Sequence, residues 1–239
     1  MTMKVCEVFV GSIPVPAGIR VGDLIHLNSI AAVNMQAAFQ ALEEAVHSAN
    51  ASLENIAQVS IFVKSRDDLQ AINPVWTPMF PDENDRPTYK FMVAEQDPPV
   101  QLEAWAVAGA RRRTLQIPNV AHTNPIPMGV RIGDMLFSSR VLPYDPATGK
   151  PAEGPARQTG CLFHNVRALL DVGDTKPEYI VQGRLFLADP GYRPLAEQHW
   201  SNLVAGANES PVLHLTPYGQ GTQLLVMLEV IAHVGWLAG

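Results

Sequence analysis

Residues 18–25, Gly-Ile-Arg-Val-Gly-Asp-Leu-Ile, return at 129–136 as Gly-Val-Arg-Ile-Gly-Asp-Met-Leu. Gly, Arg, Gly and Asp hold their places, and the other four positions change only among aliphatics and Met. Such a repeat limits the fold more than composition does, because each copy must be a unit of supersecondary structure that packs in the same way. The offset is 111 residues at the octapeptide (129 − 18) and 124 further on. At that second spacing Phe39 meets Phe163, Glu54 meets Glu178, Ile56 meets Ile180, Gln58 meets Gln182, Phe62 meets Phe186, Trp76 meets Trp200 and Pro87 meets Pro211. The 13 added residues (124 − 111) fall within 141–158, a Pro- and Gly-rich stretch that reads as a loop insertion. Two domains are therefore expected, 1–113 and 114–239, joined near residues 111–114.

Local patterns give each copy its elements. In the first, strands are predicted at 5–10 and 23–29 with a turn around Gly18 between them. Met35, Ala38, Phe39, Leu42, Ala45, Val46 and Ala49 recur at helical spacing, which predicts a helix over 35–48 with Asn34 as its cap. Val59, Ile61 and Val63 alternate with Ser60, Phe62 and Lys64 as in a strand. A second helix is predicted over 69–80, its ends blurred by Pro74 and Pro78, and strands at 89–94 and 100–108 close the unit. The fold class is α+β, a β-β-α-β-α-β-β unit duplicated in tandem. Two helices on one face of a mixed sheet leave the other face, with Phe62 and Trp105, in need of cover, so association is expected.

Charge and cysteines narrow the function. With 17 Lys and Arg against 23 Asp and Glu, a net charge of −6, and the basic run 111–113 only three residues long, the chain offers no face to a phosphate backbone, so no nucleic-acid partner is expected. Two cysteines cannot build a disulfide framework, and no long apolar segment points to a membrane, so a cytoplasmic location is expected. The seven histidines lack paired ligand spacing such as His-x-x-x-His, which leaves no support for a metal site. Gly18, Gly22, Gly129 and Gly133 read as turn glycines, since no Gly-x-Gly-x-x-Gly leads into a helix.

Several weak motifs, taken in their order and spacing, resemble one family. They are Gly, aliphatic and Gly-Asp ahead of a strand, a Phe-bearing helix, Val-Ser-Ile-Phe-Val-Lys at 59–64, Asn73 three residues before Trp76, a Pro, and a last strand with Glu. Over nearly the whole of both halves this resembles the Rid (YjgF-like) superfamily. The resemblance implies a unit similar to bacterial chorismate mutase, a trimeric ring with ligand pockets between adjacent units, and hydrolysis of enamines or imines to ketones and ammonia. It implies no metal and no cofactor. A homotrimer acting on a small-molecule substrate is the first expectation.

The chain departs from that family at one point. Its deaminases carry an Arg two residues after the Pro, and the guanidinium clamps the substrate carboxylate. Here Pro87 is followed by Thr88 and Tyr89, and Pro211 by Val212 and Leu213. A hydrogen bond to a charged group is worth roughly 1.5–3 kcal/mol, so weak or no activity on aminoacrylate is expected, and a larger, more aromatic or less acidic substrate.

Candidate site residues follow from the same resemblance. Glu103 matches the family's water-positioning Glu, and with Tyr89 forms the expected catalytic pair. Lys90 is set aside, because alternation turns it away from the side that Tyr89 faces. At the 124-residue offset Met227 stands at the Glu103 position, and Glu229, two residues later on the same strand face, takes a shifted version of the role. The pocket-lining strand end reads Asn28-Ser29 in one copy and Ser139-Arg140 in the other, Arg140 being the one cation near a pocket position. His214 and Tyr218 complete the substrate-binding set. Asn73 is read as organising a turn, Trp76 and Trp200 as core, and Cys161 as buried and inert. The expected function is hydrolytic deamination of a small imine or enamine. The alternative is a noncatalytic small-molecule-binding or regulatory protein that keeps the pocket without the chemistry.

Overall fold

The computed structural model describes residues 3–10, 13–219 and 223–235, apart from the side chains of residues 8–10, 13, 14 and 29. It divides into two compact units, 1–113 with 124–126, and 114–123 with 127–239. The first contains β1 (Met3–Val10), β2 (Ile13–Val21), β3 (Leu24–Ala32), α1 (Met35–Ser48), β4 (Ile56–Val63), α2 (Ile72–Met79), β5 (Thr88–Val93) and β6 (Val100–Val107). β7 (Arg112–Leu115) spans the junction and is followed by β8 (Gly129–Ile132) and β9 (Met135–Ser138). A two-stranded hairpin, β10 (Tyr144–Asp145) with β11 (Lys150–Pro151), then precedes α3 (Gly154–Val172), β12 (Ile180–Leu187), α4 (Arg193–Leu203), β13 (Val212–Pro217) and β14 (Val226–His233).

The two sheets have one topology. Their strand orders are β1-β2-β3-β6-β4-β5 and β7-β8-β9-β14-β12-β13, so each strand of one has its counterpart in the other. In both, the third-from-last strand pairs parallel with the next and antiparallel with the last. Both also slip by one residue at the same place, between Ile56 and Gln58 and between Ile180 and Gln182. This is the α+β tandem duplication that the repeated sequence implies, with one strand more at the start of each copy than the sequence patterns predict.

The added strand changes the role of Gly18. It lies inside β2, opposite Leu27, where a Cβ would stand 2.2 Å from the carbonyl oxygen of His26. The turn comes later, at Gly22-Asp23. Gly22 has φ 62° while Asp23 keeps an ordinary negative φ, the type II′ hairpin that matches strand twist. Gly133, with φ 55°, and Asp134 repeat it.

The repeated arginine also does one job twice. Arg20 Nη1 donates 2.7 Å to the carbonyl of Ala49, which caps the C-terminus of α1. Arg131 Nη1 donates 3.4 Å to the carbonyl of Gly173, the cap of α3, and 2.8 Å to Asp174 Oδ2. The last carbonyls of a helix lack intrahelical partners and carry its partial negative charge, so a cation there satisfies both.

Each core lies between a sheet face and two helices. α1 begins where Asn34 Oδ1 accepts from Ala37 N at 2.9 Å, and it buries Met35, Ala38, Phe39, Leu42, Ala45 and Val46. Phe39 meets Trp76 of α2 edge-on, and Trp76 packs in turn on Phe80 and Tyr89. In the second unit Phe163, Val166, Leu169 and Leu170 of α3 face Trp200 and Leu203 of α4 and the strands behind them. The 141–158 insertion is ordered by polar groups of α3. Asn165 Nδ2 donates to the carbonyls of Leu142 and Tyr144, and Gln158 Nε2 to that of Ala152. Arg112 of the basic run points inward, donating to Asp85 Oδ1 and to the carbonyls of Asp85, Leu53 and Ile56. Among the described residues no helix is long and apolar enough to cross a membrane.

Candidate functional site

Strand alternation decides which side chains share a site. Along β6, Val100, Leu102, Ala104 and Ala106 are buried toward the helices, whereas Gln101, Glu103, Trp105 and Val107 are half-buried on the other face. Tyr89 of β5 is opposite Val59, and Val59 opposite Ala104, which puts Tyr89 on the helix side. There it is 4% exposed, packs edge-on against Trp76, and its hydroxyl donates 2.8 Å to Asn73 Oδ1. Burial raises the Tyr89 phenol well above its ordinary range. Tyr89 and Glu103 thus stand on opposite faces of one sheet.

Lys90 belongs to the Glu103 face. It is opposite Ser60, and Ser60 is opposite Glu103, so two strand spacings, about 10 Å, separate their Cα atoms. On the other side of Glu103 the ladder between β3 and β6 slips between Leu27 and Ile30. The bulge this makes is Asn28-Ser29, with Asn28 exposed. The Ser29 side chain lies outside the described residues. Next to Glu103 on the same face, Trp105 is opposite His26, and their rings stack with centroids 4.1 Å apart and planes 19° from parallel. Burial lowers the His26 pKa, with the Glu103 charge pulling the other way. Glu103 makes no ion pair or hydrogen bond to another described side chain.

The same register in the second unit corrects the alignment of the last strand. Ser60 is opposite Glu103, and its counterpart Arg184 (60 + 124) is opposite Glu229. Glu229 therefore occupies the Glu103 position itself, and Met227 the position of Gln101. The shift arises between the last two strands, where 218–225 is two residues longer than 94–99. A constant offset of 124 sets Met227, not Glu229, at that position.

The second site is closed by its own residues. Val141 forms an isolated bridge with Leu228, which leaves Ser139 and Arg140 as the counterparts of Asn28 and Ser29, facing Glu229. Arg140 Nε donates 3.1 Å to Glu229 Oε1, with side chains 10% and 5% exposed. The guanidinium lies 4.3 Å above the Phe186 ring and 5.7 Å from that of Tyr218. Beside it His122 Nε2 is 2.6 Å from Ser139 Oγ, and that hydroxyl donates 3.0 Å to the Met128 carbonyl. One hydroxyl hydrogen serves one acceptor, so the His122 nitrogen must be the donor. Burial, then the Arg140 charge, lowers the His122 pKa to about 4. Tyr218, Ser139, Arg140 and Glu229 are thus brought together, while His214 stands exposed two strands from Glu229, in the row of Arg184.

Other candidates have structural settings. Trp76 and Trp200 are core residues, and Asn73 bridges Tyr89 and Asn124. Both thiols are free, Cys6 buried and Cys161 only half-buried where the sequence suggests a buried one, and desolvation raises both their pKa values, the reverse of what an activated thiolate needs. Among the described residues no group of three or more His, Cys, Asp or Glu is placed to hold a metal. Sequence reasoning passed over His26 and Trp105 as a pair and His122 beside Ser139. Each pairing joins distant segments, and only the β3–β6 register or the chain path before β8 reveals it.

Comparison with known proteins gives this geometry a family context. Residues 8–109 match the family model described as endoribonuclease L-PSP. The 2-iminobutanoate/2-iminopropanoate deaminase of Salmonella typhimurium is 33% identical over 69 residues, which are 29% of this chain and 54% of the relative. The chain thus spans about half the length of the curated relative it matches. Among solved structures, the YjgF gene product of E. coli is 22% identical with a TM-score of 0.46, covering 51% of this chain and 98% of its own. YyfA of Yersinia pestis, of the conserved Rid protein family, is 21% identical with a TM-score of 0.48, covering 52% and 99%.

Proposed function

Because the chain belongs, through its first unit, to the Rid (YjgF-like) superfamily, we propose that the sheet face around Glu103 hydrolyses a small imine or enamine to a ketone and ammonia. The observation that carries this reading is the contrast at one register. Glu229 is buried against Arg140, whereas Glu103 is half-buried on an open sheet face with no cation paired to it among the described residues.

The chemistry asks little more of the protein. Glu103 accepts a proton from water as the oxygen attacks the imine carbon and passes it to the nitrogen to give the carbinolamine, and it then carries the carbinolamine hydroxyl proton to the nitrogen as the C–N bond breaks, the C=O bond forms and ammonia leaves. An enamine first gains a proton at carbon to become the imine. Lys90, on the Glu103 face, is the cation that anchors an anionic group of the substrate. Tyr89 takes no part, because its hydroxyl is engaged by Asn73 on the opposite face. The backbone bulge at Asn28-Ser29 adjoins Glu103 across the ladder, with Asn28 exposed at the approach. The second unit, its carboxylate held by Arg140, serves as a noncatalytic binding or structural module, with His214 and Tyr218 at its rim.

The test is ammonia release from imines generated in place by an amino-acid oxidase. Glu103→Gln should lower the rate by roughly 10²–10⁴-fold, the usual contribution of a positioned acid–base group. Equal rates for the two proteins would remove Glu103 from the reaction.

Assembly and location follow the same reading. Met3, Val5 and Ile19 are 67%, 46% and 44% exposed, and their exposure supports association of chains into a homotrimer. Light scattering that returned a monomer mass would reject it. Two unbridged thiols and a net charge of −6 support a cytoplasmic enzyme for small molecules rather than nucleic acid, and tight RNA binding at physiological salt would overturn that part.

A further inference from the structure

We infer that the stacked pair His26–Trp105 makes the Glu103 site selective for planar, conjugated imines and enamines over short aliphatic ones. The inference rests on reading Glu103 as the water-activating carboxylate. Trp105 follows Glu103 by two residues on one strand face, about 7 Å along β6. Across from it His26 lies ring to ring, which fixes the indole in one orientation while both side chains stay only half-buried. On the other flank, Phe62 of β4 is opposite Gln101 and also half-buried. Glu103 is therefore a carboxylate set between aromatic surfaces, with its charge within reach of a reacting carbon whose conjugated neighbour lies on the indole or the phenyl ring.

The second unit shows that these aromatics are not a requirement of the fold. By the same register the counterparts of His26 and Trp105 are Phe137 and Ile231, and Phe137 is 1% exposed. The counterpart of Phe62, Phe186, is 1% exposed and carries the Arg140 guanidinium on its ring. So the copy whose carboxylate is closed off has no stacked pair, and the copy whose carboxylate is open has one beside it. Two features that differ independently between the copies coincide at one spot. A flat π-system gains from offset stacking on such a surface, whereas a methyl- or ethyl-bearing imine offers nothing to stack.

The experiment uses the full chain with two imines generated by an amino-acid oxidase, one from phenylalanine, whose enamine is conjugated with the ring, and one from alanine. Wild type should process the phenylalanine-derived species preferentially. Trp105→Ala and His26→Ala should lower that preference about tenfold, in line with the energy of an aromatic contact, and Trp105→Phe should keep most of it. Binding of phenylpyruvate against pyruvate, followed by tryptophan fluorescence, is measured in parallel. A wild type without aromatic preference, or variants that slow both substrates by the same factor, would reject the aromatic selectivity and leave the deaminase reading standing. Selective phenylpyruvate binding lost in Trp105→Ala, with no ammonia released from any imine, would keep the aromatic site and reject the catalysis.

Discussion

Glu103 and Glu229 stand at one register of one fold and have opposite surroundings. Glu103 is half-buried, with His26, Trp105, Ser60 and Lys90 on its face, and Glu229 is buried and bound to Arg140 under two aromatic rings. The difference comes from one bulge residue. Where the first unit has Ser29, the second has Arg140, long enough to reach across and neutralise the carboxylate. A charge pair held away from water is costly to break and gains little over an apolar pair. The second unit thus behaves as a core that happens to be ionic, and the first leaves its carboxylate half-buried beside an aromatic pair.

Chemistry breaks the comparison most sharply. Glu103→Gln should remove ammonia release, while Glu229→Gln, assayed per folded chain, should leave it near the wild-type rate, and a loss at Glu229 as large as at Glu103 would mean the two copies share the work. Stability should invert the ranking. Removing one partner of a buried pair costs about 3–5 kcal/mol, so Arg140→Met should lower the urea midpoint strongly, and Arg140→Met with Glu229→Leu should recover it. Glu103→Gln should leave the midpoint near that of wild type. If Arg140→Met is no less stable than wild type, the pair does not hold the second unit closed.

Acid should act on the second unit through His122. Its folded pKa of about 4 lies below the ordinary value of 6.5, so between those values the unfolded chain binds the proton and the folded one does not. The stability this represents is present above pH 6.5 and is lost as pH falls toward 4, at most about 3 kcal/mol. His122→Asn should flatten the difference in urea midpoint between pH 7 and pH 4.5 relative to wild type. An unchanged slope would mean that His122 protonates freely and that its hydrogen bond to Ser139 is not a neutral latch.

Local patterns carried the helices and most of the strands, because their periodicity is a property of neighbouring residues. Asn34 as a cap and Trp76 and Trp200 as core could be read from position alone. Gly18 could not. It reads as a turn glycine, but its lack of a side chain serves the approach of β3, and nothing near it in the chain announces that neighbour. Family order puts Tyr89 and Glu103 in one site, whereas parity across β5, β4 and β6 sets them back to back and brings Lys90 to the front. A constant offset places Glu229 two positions out of register, because 218–225 contains two extra residues and an insertion in a loop leaves no mark on the strand that follows.

By itself the sequence determined that two copies of one α+β unit exist and that each carries the same Gly-Arg-Gly-Asp device, whose second Gly and Asp answer to turn geometry set within a short span of chain, while its first Gly and its Arg answer to a neighbouring strand and to a helix end farther off. Tertiary structure alone decided which carboxylate is open and which is closed. That choice depends on residues 79 (105 − 26) and 89 (229 − 140) apart in the chain meeting across a ladder, and strand pairing at such separations is fixed by the burial of whole sheet faces, a property of the assembled core and of no local stretch.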